Sequence, residues 1–138
     1  MAENIEYVVI DCSAILAKLM PDEKIRTVFE EDFNLHLRNK VNFISLNLLV
    51  YELLNAIKSS IVSKRIDREY SQKIISNFLK WDINMVNTVN YEDVVDLAIL
   101  HKLSVYDASY LFLAKKYKCR LMTLDKRLEK AWQEEVKF

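Results

Sequence analysis

Short runs of β-branched and apolar residues alternate with longer stretches of helical period along this chain, and that alternation limits its fold more than any other feature. YVVID (Tyr7–Asp11), VNFIS (Val41–Ser45), INMVNTV (Ile83–Val89) and RLMTLD (Arg120–Asp125) read as strands. AILAKLM reads as a helix that Ser13 can cap and Pro21 stops. From Asp22 to about Arg38 the pattern is amphipathic, with Ile25, Val28, Phe29 and Phe33 near helical spacing. Further helices are expected from LLVYELLNAIKSSIV through about Lys64, from a cap at Asp67 to Trp81, and over YEDVVDLAILHKL, DASYLFLAKKYK and KRLEKAW. EVKF, at the end, is expected to add a closing strand. Strands apolar on both faces and separated by helices belong in a parallel sheet with helices on either side. The expected architecture is therefore α/β, a three-layer α/β/α domain with a central, mostly parallel sheet. At 138 residues and 51% apolar, residues 1–138 are expected to form a single domain with an ordinary core.

The sequence contains no glycine. Phosphate cradles of the Walker type and dinucleotide-binding turns need glycine for close backbone approach, so nucleotide-dependent kinase, ATPase and dehydrogenase chemistry is excluded, and no nucleotide cofactor is expected. Twenty basic residues balance twenty acidic ones, so any contact with nucleic acid must be local. Cys12 and Cys119 lie in apolar, strand-like settings and read as small buried hydrophobes in a reducing compartment. Glu3 and Glu6 stand where a signal peptide would be basic and then apolar. Asn47, Glu52 and Asn55 interrupt the most apolar segment well short of the roughly 20 residues of a membrane span. The expectation is a cytoplasmic protein with no membrane segment.

Four acids stand in positions that call for an explanation. Asp11 and Asp125 end strands, and in a parallel sheet both would lie on the carboxyl edge, where open α/β folds place their sites. Taken singly, each is more simply a helix N-cap or Asx turn, and so is Asp107 at the mouth of its apolar helix. Glu52 borders the stripe formed by Leu49, Leu53, Ala56 and Ile57. It either snorkels beside Lys58 or Arg65, or sits where a cation, a metal or hydrogen-bond donors offset its desolvation. Asn55, one turn on, can steady that carboxylate or contact a ligand, or is simply exposed. Thr123 shares a strand face with Asp125 and can orient a carboxylate or water, although threonine is at home in strands anyway. Together the acids form a set that repels itself without a compensating cation, and oxygen ligands suit Mg²⁺ or Mn²⁺. Neither His36 nor His101 has a Cys or His partner at zinc spacing, so both are expected on the surface or at caps.

VVIDCSAI, LLVYELLNAI and LSVYDASYLFLAKKYKCRLMTLDKRL together resemble a PIN domain, and within that superfamily the VapC-like toxins. The third block is the most specific, joining a Tyr-Asp-Ala helix start to a Thr-x-Asp strand end with its two aspartates 18 positions apart (125 minus 107). The resemblance implies a Mg²⁺- or Mn²⁺-dependent endoribonuclease whose acidic quartet is Asp11, Glu52, Asp107 and Asp125, supported by Ser13, Thr123 and Asn55. It implies hydrolysis of RNA by a metal-activated water, leaving a 3′-hydroxyl and a 5′-phosphate, with Asp11 and Asp107 nearest the first ion. KKYKCR lacks the glycine that relatives often place before the last strand, which leaves that turn open.

An acidic groove repels RNA, so basic residues must offset it. The candidates are Lys115, Lys116 and Arg120 of KKYKCR, then Lys126 and Arg127, and the group Lys64, Arg65 and Arg68; for any one of them the alternative is a solvated face. Tyr51, Tyr106 and Tyr110 flank the acids, to stack on bases or to pack between helices. The resemblance further implies a homodimer and a cognate antitoxin, the toxin half of a type II toxin-antitoxin pair. The helix surfaces around Phe29, Phe33, Ile61 and Ile74 can serve as interfaces or fill the core. The alternatives are a housekeeping RNA-processing PIN nuclease without antitoxin and a PIN-like binding module that has lost catalysis. A dehalogenase-like phosphatase is disfavoured because it wants a second aspartate two residues after the first, and position 13 is serine.

Overall fold

A computed structural model describes residues 5–25, 27–87 and 89–136. The strands are β1 (Glu6–Ile10), β2 (Val41–Ser45), β3 (Asn84–Met85) and β4 (Arg120–Met122). They pair in the order β3-β2-β1-β4, and every pairing is parallel. The helices are α1 (Cys12–Leu19), α2 (Thr27–Leu37), α3 (Leu48–Val62), α4 (Arg68–Lys80), α5 (Tyr91–His101), α6 (Val105–Tyr117) and α7 (Lys126–Glu135).

Alternation along the strands divides the core in two. Val8, Ile10, Phe43 and Met122 pack with α1 to α4, while Val9, Ile44 and Leu121 pack with α5 to α7. Phe29, Phe33 and Ile74 are buried in the first of these cores and Ile61 packs against it, so these residues fill the interior rather than a surface. The three-layer α/β/α reading holds, with a wholly parallel sheet. No helix among the described residues is long and apolar enough to cross a membrane.

Several local expectations are corrected. Helix α1 starts at Cys12 and is capped by Asp11, whose carboxylate accepts from the Ala14 N–H at 3.1 Å, and not by Ser13. Helix α2 runs from Thr27, and Asp22 and Glu23, which the expected helix included, instead accept from the Arg65 guanidinium at 2.6 to 3.0 Å; Arg26 lies outside the described residues. Among the described residues of INMVNTV only Asn84 and Met85 form β3, with the Val86 N–H on the carbonyl of Ser45, where β2 ends; Thr88 lies outside the described residues. Ser104, not Asp107, caps α6, its hydroxyl accepting from the Asp107 N–H at 3.0 Å. Glu135 of the expected closing strand ends α7, and the Val136 N–H bonds to the Trp132 carbonyl; Lys137 and Phe138 lie outside the described residues.

Lacking glycine, the chain puts other residues into left-handed backbone conformation at Asn39, Lys64, Asp82, Lys102 and Lys118. Lys118 (φ 50°, ψ 53°) closes α6 with its N–H on the Ala114 and Lys115 carbonyls, which is how KKYKCR turns into β4 without glycine.

Candidate active site at the carboxyl edge of the sheet

Strands β1 and β4 are neighbours, yet the helices that follow them leave to opposite faces: α1 packs in the first core and α7 in the second. This is the topological switch point of an open α/β sheet, where divergent chains leave a crevice beyond the carboxyl ends of the strands. Asp11 and Asp125 are the residues at which the two chains part, each capping the helix that follows.

Asp11 is 5% exposed and tightly held. Its N–H donates to the Met122 carbonyl on β4 at 3.2 Å, and the Ile10 carbonyl just before it accepts from the Ser45 hydroxyl on β2 at 2.6 Å. Oδ1 accepts from Ser13 Oγ at 2.7 Å as well as from Ala14 N, and Oδ2 accepts from Thr123 Oγ1. Thr123 Oγ1 in turn accepts from the Asp125 N–H at 3.0 Å, and Ser13 Oγ accepts from the Leu124 N–H at 2.8 Å. Ser13 and Thr123 thus stitch the end of β1 to the end of β4.

Burial pushes the Asp11 carboxyl up to about 6, against the lowering effect of these hydrogen bonds and with a smaller push from Asp107. That shift corresponds to a cost of about 3 kcal/mol for the ionised form at neutral pH. The adjacent Val8, Val9 and Ile10, all 0% exposed, contribute about 2 kcal/mol each by burial, so the strand stays in place despite the charge at its end.

The other two acids come from the helical layers. Glu52 on α3 is half-buried and raised above its ordinary value by burial, then by the charge of Asp107, while a hydrogen bond from the Tyr110 hydroxyl at 2.5 Å works the other way. Asp107, in the first turn of α6, is half-buried and raised by burial and then by Asp125. Asp125 is exposed and accepts from the Arg127 and Leu128 N–H groups at 2.9 and 3.1 Å. Asp107 is therefore within electrostatic reach of Asp11, of Glu52 and of Asp125. Four elements bring the quartet to one rim.

Among the described residues no three His, Cys, Asp or Glu side chains already surround an ion-sized point. The donor chemistry nevertheless fits a hard divalent cation, with four oxygen-bearing groups, three of them in surroundings that disfavour their charge. Glu52 and Asp107 are both half-buried, so neither carboxylate is closed off from the rim.

The basic candidates separate by strand and helix polarity. Lys126 and Arg127 open α7 beside Asp125 and are exposed. Lys115 and Lys116 lie in the last turn of α6, about 12 Å of helix from Asp107, and Lys115 pairs with Glu135 at 3.0 Å. Arg120 starts β4, at the amino end of the sheet, and makes a two-pronged pair with the buried Asp32 at 2.8 and 2.9 Å, plus a contact with Glu6. Its guanidinium is a strut between β4 and α2, not a phosphate ligand at the acidic rim. Arg65 is likewise taken up by Asp22 and Glu23, which removes it as a partner for Glu52.

Asn55, on α3 just beyond Glu52, is exposed, as are Tyr51 and Tyr106, at 72% and 62%. Tyr110, at 1%, cannot stack on a base. His36 is not a surface residue: its ring stacks on Phe43, accepts from the Phe43 N–H at 3.1 Å and meets the Trp81 carbonyl. His101 is paired with Glu134 and Glu135 of α7. Cys12 and Cys119 are buried free thiols, and burial, then Glu52 and Asp11, push the Cys12 thiol up to about 12.

The Tyr110 bond to Glu52 was beyond sequence reasoning. Helical spacing puts Tyr110 on the same side as Asp107, but its partner stands 58 positions away on another element.

Among curated proteins the chain is 26% identical over 125 residues to Ribonuclease VapC3 of Pyrobaculum aerophilum, spanning 87% of this chain and 90% of that protein. Among solved structures it is similar to the crystal structure of PAE2754 from Pyrobaculum aerophilum, with a TM-score of 0.68 and 25% sequence identity over 92% of this chain and 79% of that one. The family model described as PIN domain matches residues 8–132, nearly all of the sheet and its flanking helices, and the chain belongs to the PIN domain family.

Proposed function

We propose that residues 1–138 act as one catalytic unit, a Mg²⁺- or Mn²⁺-dependent endoribonuclease that is the toxin of a type II toxin-antitoxin pair. The observation that carries this reading is the convergence on Asp107 of Asp11, Glu52 and Asp125 from separate elements, each pairing unfavourable while both partners are charged and no cation is shared. When bound, a hard divalent cation supplies a water of lowered pKa and stabilises charge developing at the phosphate. The protein's own residues do the rest. Asp11, Glu52, Asp107 and Asp125 hold the ion, and Thr123 and Ser13 keep the Asp11 carboxylate turned to the rim. Lys126 and Arg127 meet the phosphates of the strand, and the exposed Tyr51 and Tyr106, each next to an acid, offer faces on which unpaired bases stack. Asn55, exposed one turn beyond Glu52, contacts the same substrate.

The likeness to a protein named Ribonuclease VapC3 supports RNA as the substrate; an antitoxin as the regulating partner, a homodimeric assembly and action in the cytoplasm belong to the same proposal. The test is RNA cleavage by wild type and Asp107→Asn with Mn²⁺ or Mg²⁺ and with chelator, with circular dichroism to verify the fold. Cleavage by wild type alone, abolished by chelator, is expected. Equal cleavage by the folded variant refutes the assignment. Growth arrest on expression, relieved by the product of a neighbouring small gene, tests the toxin role.

A further inference from the structure

Tyr110 is 1% exposed and the largest of the fully buried side chains. A phenol buried to that degree needs an acceptor, and in a core made of Leu97, Leu111, Leu113 and Leu128 nearly every neighbour is apolar. Its hydroxyl crosses from the α6 layer to the α3 layer and donates to Glu52 Oε1 at 2.5 Å. Three residues earlier on the same helix face stands Asp107. One helix therefore presents an acid at the rim and, beneath it, a donor that grips a second acid on another element. Asp11 is held in the same manner by Thr123, also 1% exposed.

We infer that Tyr110 is a positioning residue for the metal centre, its phenol clamping Glu52 Oε1 so that Oε2 is the oxygen left for a divalent cation. The inference rests on the metal-dependent reading above and deepens it. A tyrosine that only filled space would be replaced by phenylalanine without consequence for the ion. A tyrosine that acts through Glu52 would not, because a carboxylate with a free torsion loses orientation and with it affinity.

The experiment measures Mn²⁺ binding by titration calorimetry on the full chain, for wild type, Tyr110→Phe, Glu52→Gln and the double variant, with thermal melts in chelator as a control on folding. Tyr110→Phe is expected to weaken Mn²⁺ binding about tenfold or more, while KM for RNA at saturating metal stays unchanged. In the Glu52→Gln background the same change is expected to have little further effect, since the two residues act as one unit. Wild-type affinity in Tyr110→Phe, or fully additive losses in the double variant, overturns the inference while leaving the metal centre standing. Unchanged Mn²⁺ binding in Glu52→Gln and in Asp107→Asn overturns the metal-dependent reading, and the inference with it. Should Tyr110→Phe not fold, the buried, hydrogen-bonded phenolic proton of Tyr110 in wild type carries the test by magnetic resonance. It should shift on adding Mg²⁺ in wild type and not in Glu52→Gln, and a proton indifferent to Mg²⁺ in wild type overturns the inference.

Discussion

Replacing Asp11 by asparagine should make the metal-free protein more stable at neutral pH while removing its activity. The Asp11 carboxyl is raised from 3.8 to about 6 by burial, roughly two units, or about 3 kcal/mol at 1.36 kcal/mol per unit. Its folded pKa lies above the unfolded one, so the folded state holds the proton more tightly. Stability from this group is complete below about pH 4, falls as pH rises through the window from about 4 to about 6, and stays low above it. Asparagine caps a helix as well as aspartate does, so the Ala14 bond is preserved. The loss is at Oδ2, where the amide NH2 that replaces it cannot accept from the Thr123 hydroxyl, at about 1 kcal/mol. The variant should therefore be about 2 kcal/mol more stable than wild type near pH 7 and about 1 kcal/mol less stable near pH 4. Urea unfolding in chelator, followed by the fluorescence of Trp81 and Trp132, measures both values. Excess Mn²⁺ should then stabilise wild type and do so less for the variant. A variant less stable than wild type near pH 7 in chelator, or a difference that does not change between the two pH values, would refute the reasoning.

Arg120→Met should cost about 3 kcal/mol, because it leaves the carboxylate of Asp32 buried without its partner, and should leave RNA affinity unchanged once folding is corrected for. A loss of RNA affinity with no loss of stability would return Arg120 to the substrate surface. Lys126→Gln and Arg127→Gln should each weaken RNA binding and lower the salt slope by about 0.7, the increment for one single-strand phosphate contact, as read by fluorescence anisotropy across a salt series. Lys118→Gly should stabilise the protein by about 1 kcal/mol in thermal or urea unfolding, since a left-handed φ of 50° suits glycine better than any residue with a Cβ, and cleavage should be unaffected.

What the amino-acid sequence determined by itself is whatever depends on neighbours within a turn or a strand. The short apolar, β-branched runs YVVI and VNFIS and the helical period of the intervening segments suffice for the layers. Once the strands are parallel, polarity alone sends Asp11 and Asp125 to the same edge, and Asp67 caps α4 as its local pattern predicts. The same polarity puts Arg120, where RLMTLD begins, at the end of the sheet away from Asp125, but it does not name Asp32 as the partner that takes its guanidinium there.

Only the tertiary structure decided who partners whom. Thr123 meets Asp11 across 112 positions, Arg120 meets Asp32 across 88, and Tyr110 meets Glu52 across 58. His36, with no metal partner in its own neighbourhood, turns out to be a core residue because Phe43 and Trp81 close over it. The physical reason is the same in each case. A buried polar group must be satisfied, but its own segment supplies only caps and turns, and the remaining donors and acceptors are set by which faces of distant elements the packing of the two cores presses together.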